Sequence, residues 1–265
     1  MQDFISLYNS HHSIAQISSI TGESPYKITR FLKSNNVKVS RSRCRFNINS
    51  DFFNNIDTEE KAYFLGLIGA DGSISYCSNG KRAFSIELLT SDIDILNRLS
   101  FLISGDYNLV KTYHRKGRNP TSKISFSDET FINILESKGI KRNKSLDYKF
   151  PEIDPILLPH FIRGYFDGDG SVYLSGNTTK ISFTGSKNFI PVLNYVLFNK
   201  GATLREYKVI DRGNFCSIHF GGILPSKMLY DYMYSNANVY LKRKKIKFES
   251  APCFSNDAVC IEQNR

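Results

Sequence analysis

The sequence predicts an α+β protein: two pseudo-symmetric α-β-β-α-β-β-α halves that form a saddle, preceded by a small helical headpiece. Three observations predict it. The stretch FLGLIGADG at residues 64–72 returns as IRGYFDGDG at 162–170, with Asp71 and Asp169 standing 98 positions apart. A similar succession of apolar periodicities follows each copy. The first 46 residues differ from both copies, carrying seven basic residues against two acids. The expected organisation is a headpiece at 1–46, a first half at 47–150, a second half at 151–250 and a tail at 251–265.

In the headpiece, SIAQISSITGESPYKITRFLKSNN reads as a short helix, a turn at Gly22 and a second helix with Ser24 as cap and Pro25 at its first position. Ile14, Ile17, Ile20, Ile28, Phe31 and Leu32 supply a small core. Tyr26, Lys27, Thr29, Arg30 and Lys33 then face outward. The pattern resembles a helix-turn-helix, whose second helix enters the DNA major groove. A plain helical hairpin is the other reading.

Each repeated stretch reads as a helix with small residues four apart, Gly66 and Ala70 in the first and Gly164 and Gly168 in the second. Positions i and i+4 share a helix face. Small residues on that face let two backbones touch, a steric argument best known from membrane helices. Two such helices crossing side by side would bring Asp71 and Asp169 out together at their common end, close enough to share metal. The expected caps are Asp57, with Glu60 three residues on, and Asp154 followed by Pro155. Each helix would then run roughly 20 Å. An acid at a helix C-terminus faces the negative end of the macrodipole, which is unfavourable unless a cation binds there.

After Asp71, strands are expected at 73–76 and 83–89, a helix from 93, strands at 110–114 and 123–126, and a helix at 129–138. After Asp169 the expected strands lie at 171–174 and 180–184, followed by a helix from 187, strands at 203–209 and 216–220, and a helix at 226–234. The breaks SNGK, RKGRNP, SGNTT and DRGN fall at corresponding hairpin turns. Alternation in RAFSIEL, KISFS, KISFT and FCSIHF gives each sheet one apolar face and one polar face. Both copies end in positive charge, with Lys144 lying 73 residues after Asp71 and Lys244 lying 75 after Asp169. Charge runs are usually solvated faces, but recurrence at nearly one distance favours a phosphate-facing role. Polar sheet faces flanked by basic loops suit a nucleic-acid duplex. The candidate contacts are Lys81, Arg82, Arg115, Lys116, Arg118, Lys123, Lys180, Arg212, Lys242 and Arg243, with Arg41 and Arg43 after the headpiece helices.

The 265 residues carry 35 Lys and Arg against 25 Asp and Glu, a net charge of +10 that points to a polyanionic partner. Five cysteines, with no CxxC pair, read as reduced thiols. The histidines lack HxH or HExxH spacing, which argues against zinc chemistry. No apolar run approaches the length of a membrane span, and the N-terminus lacks a signal pattern. A soluble, intracellular protein is expected.

The paired segments resemble the motifs of LAGLIDADG homing endonucleases in the single-chain, two-motif form, over roughly residues 58–248. The resemblance implies a monomer that cuts both strands of a long, asymmetric double-stranded DNA target across its minor groove. It assigns divalent metal binding and catalysis to Asp71 and Asp169, with the carbonyls of Ala70 and Gly168 beside the metal. Basic residues late in each repeat assist in the family, and Lys144 and Lys244 match them. Hard oxygen ligands favour Mg²⁺, with Mn²⁺ able to substitute. Gly69 departs from the family pattern, which has an acid there, as Asp167 does in the second copy. Thr90, Ser91 and Ser186 are further polar residues within reach. An RNA splicing maturase acting on intron RNA, or a DNA-binding regulator that does not cut, is the alternative that the resemblance admits.

Overall fold

The computed structural model describes residues 4–9, 12, 14–37, 39, 47–77, 80–175, 178–251 and 254. The chain divides into two compact units, Met1–Ile48 and Asn49–Arg265.

In the first unit, α1 (Phe4–Asn9), α2 (Ile14–Thr21) and α3 (Pro25–Ser34) surround a core of Phe4, Tyr8, Ile17, Ile28 and Leu32. Gly22 makes the turn between α2 and α3 at φ +70, a left-handed conformation that glycine adopts without steric cost. Ser24 caps α3 by accepting the amide of Lys27 at 3.3 Å. Two expected core residues lie outside it: Ile20 is half exposed, and Phe31 sits at the rim, its ring edge-on to Phe4 at 5.3 Å. The unforeseen α1 takes their place. Tyr26, Lys27, Arg30 and Lys33 are exposed, and Thr29 is half-buried.

The second unit repeats one plan twice. The first half comprises α4 (Glu59–Asp71), β1 (Gly72–Tyr76), β2 (Arg82–Leu89), α5 (Ile93–Ser104), β3 (Val110–Tyr113), β4 (Thr121–Phe126) and α6 (Glu129–Ser137). The second comprises α7 (Leu158–Asp169), β5 (Gly170–Ser175), β6 (Thr178–Gly185), α8 (Ile190–Asn199), β7 (Ile210–Asp211), β8 (Cys216–Gly221) and α9 (Ile223–Tyr234), and α10 (Lys242–Glu249) follows. Both sheets are antiparallel, with orders β1-β2-β4-β3 and β5-β6-β8-β7. Period-two alternation turns Ile74, Phe84, Ile86 and Ile124 of one sheet, and Val172, Ile181, Phe183, Ile218 and Phe220 of the other, into the core. Helices α5 and α6 pack on the first sheet, and α8 and α9 on the second.

Three local expectations are corrected. Thr58, not Asp57, caps α4 by accepting the amide of Lys61, while Asp57 pairs with the Lys61 ammonium at 2.8 Å. Helix α7 begins at Leu158, later than a cap at Asp154 requires, because the Asp154 side chain closes a local turn on the amide of Ile156. Only Ile210–Asp211 of the strand expected at 203–209 forms, and it lies beyond that range. The backbone of Tyr207 is instead bound through both its amide and its carbonyl by the side chain of Asn194 on α8. The basic run at 242–249 is helical, anchored by buried Phe248. Among the described residues no helix is long and apolar enough to cross a membrane.

Candidate active site

Helices α4 and α7 cross with their backbones in contact. A Cβ added at Gly66 would stand 2.0 Å from the carbonyl oxygen of Phe161, and one at Gly164 would stand 1.9 Å from that of Tyr63. No side chain longer than hydrogen fits at either position. Further along, a Cβ at Gly168 would lie 2.4 Å from the Ala70 Cβ and 2.9 Å from Asp71 Oδ2, so the two helices end side by side. The small-residue spacing therefore does bring Asp71 and Asp169 together.

Both carboxylates are exposed, yet desolvation by surrounding protein is the largest influence on each and raises both. Exposure combined with crowding describes a recess open on one side. On Asp71 the charge of Asp169 adds to desolvation, and its carboxyl is pushed up to about 6. Beneath the acids lie two buried lysines. Lys144 donates to the carbonyl of Ala70 at 2.6 Å, and Lys244 donates to the carbonyls of Gly170 and, at 3.4 Å, Phe166. Burial lowers both ammonium groups, and with Arg243 adding its charge Lys244 falls to about 8.

The departure at Gly69 has a steric reason. A Cβ there would meet Tyr148 Oη at 2.8 Å, so the ring of Tyr148 fills the space a side chain would need. In the second copy Asp167 is fully buried and accepts from Tyr63 at 2.8 Å, from Tyr234 at 2.7 Å and from the Leu241 amide at 2.7 Å. It ties the helix pair to the segment ahead of Lys244. Ser186 is likewise structural, because it donates to the Tyr148 carbonyl and accepts the Phe189 amide at 3.0 Å. Thr90 bonds Ser122 at 3.2 Å, and Ser91 is exposed.

The donor set suits a hard divalent cation. Two like-charged carboxylates face each other, and their mutual repulsion, which raises Asp71, is relieved when a cation comes between them. The described residues hold no group of three or more His, Cys, Asp or Glu at metal distance, so further ligands would be carbonyl, water or phosphate oxygens.

The expected duplex contacts divide into distinct groups. Lys116 and Arg118 in the β3–β4 turn, Arg212 near the β7–β8 turn and Lys180 on β6 are exposed, as is Lys81. Lys123 lies on the polar face beside Lys111, 4.0 Å from Glu87, and Arg115 pairs with Glu87 at 2.9 Å. Arg82 does not join them. By strand parity it shares the helix-facing side with Phe84 and Ile86, and it is held by Glu129, by Glu136 at 2.6 Å and by Asn133 at 2.7 Å on α6. Lys242 and Arg243 remain exposed while pairing with Asp94 at 2.8 Å and with buried Asp92 at 2.7 Å. Arg41 and Arg43 lie outside the described residues. In the first unit Lys27 pairs with Glu23 at 2.6 Å. Sequence reasoning missed Arg142 and Lys247, which line recesses beside β1 and β5 with Ser73 and Ser171. Both sit in the basic runs that carry Lys144 and Lys244, and only the positions of these two lysines relative to the acids set them apart.

Residues 159–246 match the LAGLIDADG-like domain. The match spans most of the second half. The match begins in α7, contains Asp169 and ends past Lys244 in α10, and the first half repeats the motif and the topology. Over 155 residues the chain is 29% identical to a probable translation initiation factor IF-2 of Methanocaldococcus jannaschii, covering 56% of this chain and 12% of that protein. An uncharacterized protein of the same organism is 25% identical over 155 residues, covering 56% and 55%. The chain thus spans about an eighth and about half of these relatives. Among solved structures, the homing endonuclease I-WcaI bound to its DNA recognition sequence shares the fold, with a TM-score of 0.50 at 14% identity over 80% of this chain and 97% of that one. The I-LtrWI LAGLIDADG homing endonuclease bound to target DNA has a TM-score of 0.48 at 13% identity over 82% and 92%.

Proposed function

We propose that the protein is a site-specific double-strand DNA endonuclease that hydrolyses phosphodiester bonds with Mg²⁺, for which Mn²⁺ substitutes. The observation that carries this reading is the meeting of Asp71 and Asp169 at the end of two crossed helices, each backed by a buried lysine. Polar sheet faces with exposed Lys116, Arg118, Lys180 and Arg212 support a duplex as substrate. The DNA-bound homing endonuclease of like fold supports the same partner.

Asp71 and Asp169 would hold the cation, with the carbonyls of Ala70 and Gly168 nearby. A bound divalent ion supplies Lewis acidity at the scissile phosphate and lowers the pKa of water. The chain's own part is charge and proton handling. The carboxylates orient the attacking water by accepting its hydrogen bonds. As the water oxygen bonds to phosphorus and the bond to the departing sugar oxygen breaks, negative charge grows on the phosphate, and Lys144 and Lys244 stabilise it. Lys244, its pKa held down to about 8, also gives a proton to the departing oxygen. The headpiece extends recognition into a major groove through α3, giving one monomer a long, asymmetric target. A role in the mobility of an intron or intein belongs to the same reading.

Incubation of the protein with a randomised duplex library and Mg²⁺, followed by sequencing of cut ends, tests the reading. Paired breaks of constant stagger within a recurring sequence, lost in a chelator, are expected. A recurring sequence that is bound but never cut would replace this reading with that of a DNA-binding regulator.

A further inference from the structure

We propose that each half of the second unit positions the active-site lysine of the other half, through Asp92 for Lys244 and through Asn188 for Lys144. The inference rests on the endonuclease reading of this site. Each lysine reaches carbonyls of its own motif, Lys144 that of Ala70 in α4 and Lys244 those of Phe166 in α7 and Gly170 at the start of β5. The segments that carry the lysines are held from across the pseudo-symmetry.

Asp92 lies in the turn after β2, in the first half. It is buried, and its Oδ2 accepts from Nε of Arg243, the residue next to Lys244, at 2.7 Å. The lead-in to this segment is gripped from the same side. Glu59 accepts the amides of Asn238 and Val239 at 2.7 and 3.1 Å, and Arg98 donates to the Asn238 carbonyl at 3.1 Å. The mirror arrangement holds Lys144. Asn188 lies in the turn after β6, in the second half, and donates through Nδ2 to Asp147 at 3.2 Å, while Ser186 donates to the carbonyl of Tyr148. The Tyr148 ring then stacks on Phe189 at 5.2 Å and on Tyr165 at 6.4 Å, both in the second half.

Such crossed anchoring makes each lysine sensitive to the half it does not belong to. Asp92 and Asn188 touch no reacting atom and are positioning residues. It also gives a role to the contact of exposed Arg243 with buried Asp92.

The test uses the full chain with Asp92→Asn and Asn188→Ala, read by amide hydrogen exchange and by strand-resolved cleavage of the library-selected duplex. Asp92→Asn is expected to speed exchange within residues 242–249 roughly tenfold while leaving 144–148 near the parent rate, and Asn188→Ala to do the reverse. In cleavage, each variant is expected to accumulate nicked duplex, with opposite strands left intact. Uniformly faster exchange, or none at the far segment, overturns the anchoring. The expected exchange pattern with both strands slowed equally overturns the positioning of the lysines while leaving the anchoring intact. If the exchange pattern holds and the parent protein cuts no duplex, the endonuclease reading fails and the crossed anchoring stands.

Discussion

At the residue scale, the duplicated acid is legible because one motif occurs twice; Asp71 followed by glycine would otherwise be an ordinary helix stop. Lys144 and Lys244 are legible for the same reason, by their distance from each acid. Arg82 is misplaced without a parity check, since alternation through Phe84 and Ile86 already assigns it to the helix side. The Asp92–Arg243 pair joins residues 151 positions apart and leaves no local pattern. The raised Asp71 carboxyl has a consequence for stability. Its pKa in the fold, about 6, exceeds the unfolded value of 3.8, so its contribution is fully present below about pH 4 and is lost as pH rises through about 6. This is opposite to a paired carboxylate. In chelator, the thermal midpoint of the parent is expected to fall between pH 4 and pH 6 relative to Asp71→Asn, and added Mg²⁺ is expected to restore it. Parallel pH profiles for the two proteins would show that the Asp71 carboxyl is not raised by desolvation and the charge of Asp169.

At the scale of elements, the strands are legible wherever alternation is undisturbed. The range 203–209 fails because a side chain from α8 takes the backbone of Tyr207, a tertiary interaction that local propensity does not contain. The helix pair is legible because small residues four apart occur in both copies of the motif. Ordinary overpacking costs about 1 to 3 kcal/mol. At Gly66 and Gly164 the obstacle is backbone, which cannot swing aside, so Gly66→Ala or Gly164→Ala is expected to cost at least about 3 kcal/mol, the upper end of that range. Gly221, with open space where a Cβ would stand, is the control and should accept alanine with little change. Chemical denaturation of the three variants checks this, and equal stabilities would remove the close crossing of α4 and α7.

At the scale of the molecule, the headpiece supplies a net +5 from residues 1–46 out of +10 for the chain. Its division from the rest follows composition, whereas the two repeats share one unit because their motif helices pack directly on each other. Removing residues 1–45 is expected to leave a folded, metal-dependent nuclease that binds duplex more weakly. The slope of log affinity against log salt should flatten by about 0.9 for every phosphate that the headpiece neutralises. Identical slopes and footprints would assign the headpiece to another partner. The central claim is that Asp71 and Asp169 form one catalytic centre, and cleavage of the library-selected duplex by Asp71→Asn and Asp169→Asn in Mg²⁺ tests it most directly. Each substitution is expected to slow cutting by more than about 100-fold while leaving DNA affinity within a few fold of the parent. Cutting at the parent rate by either variant would contradict it.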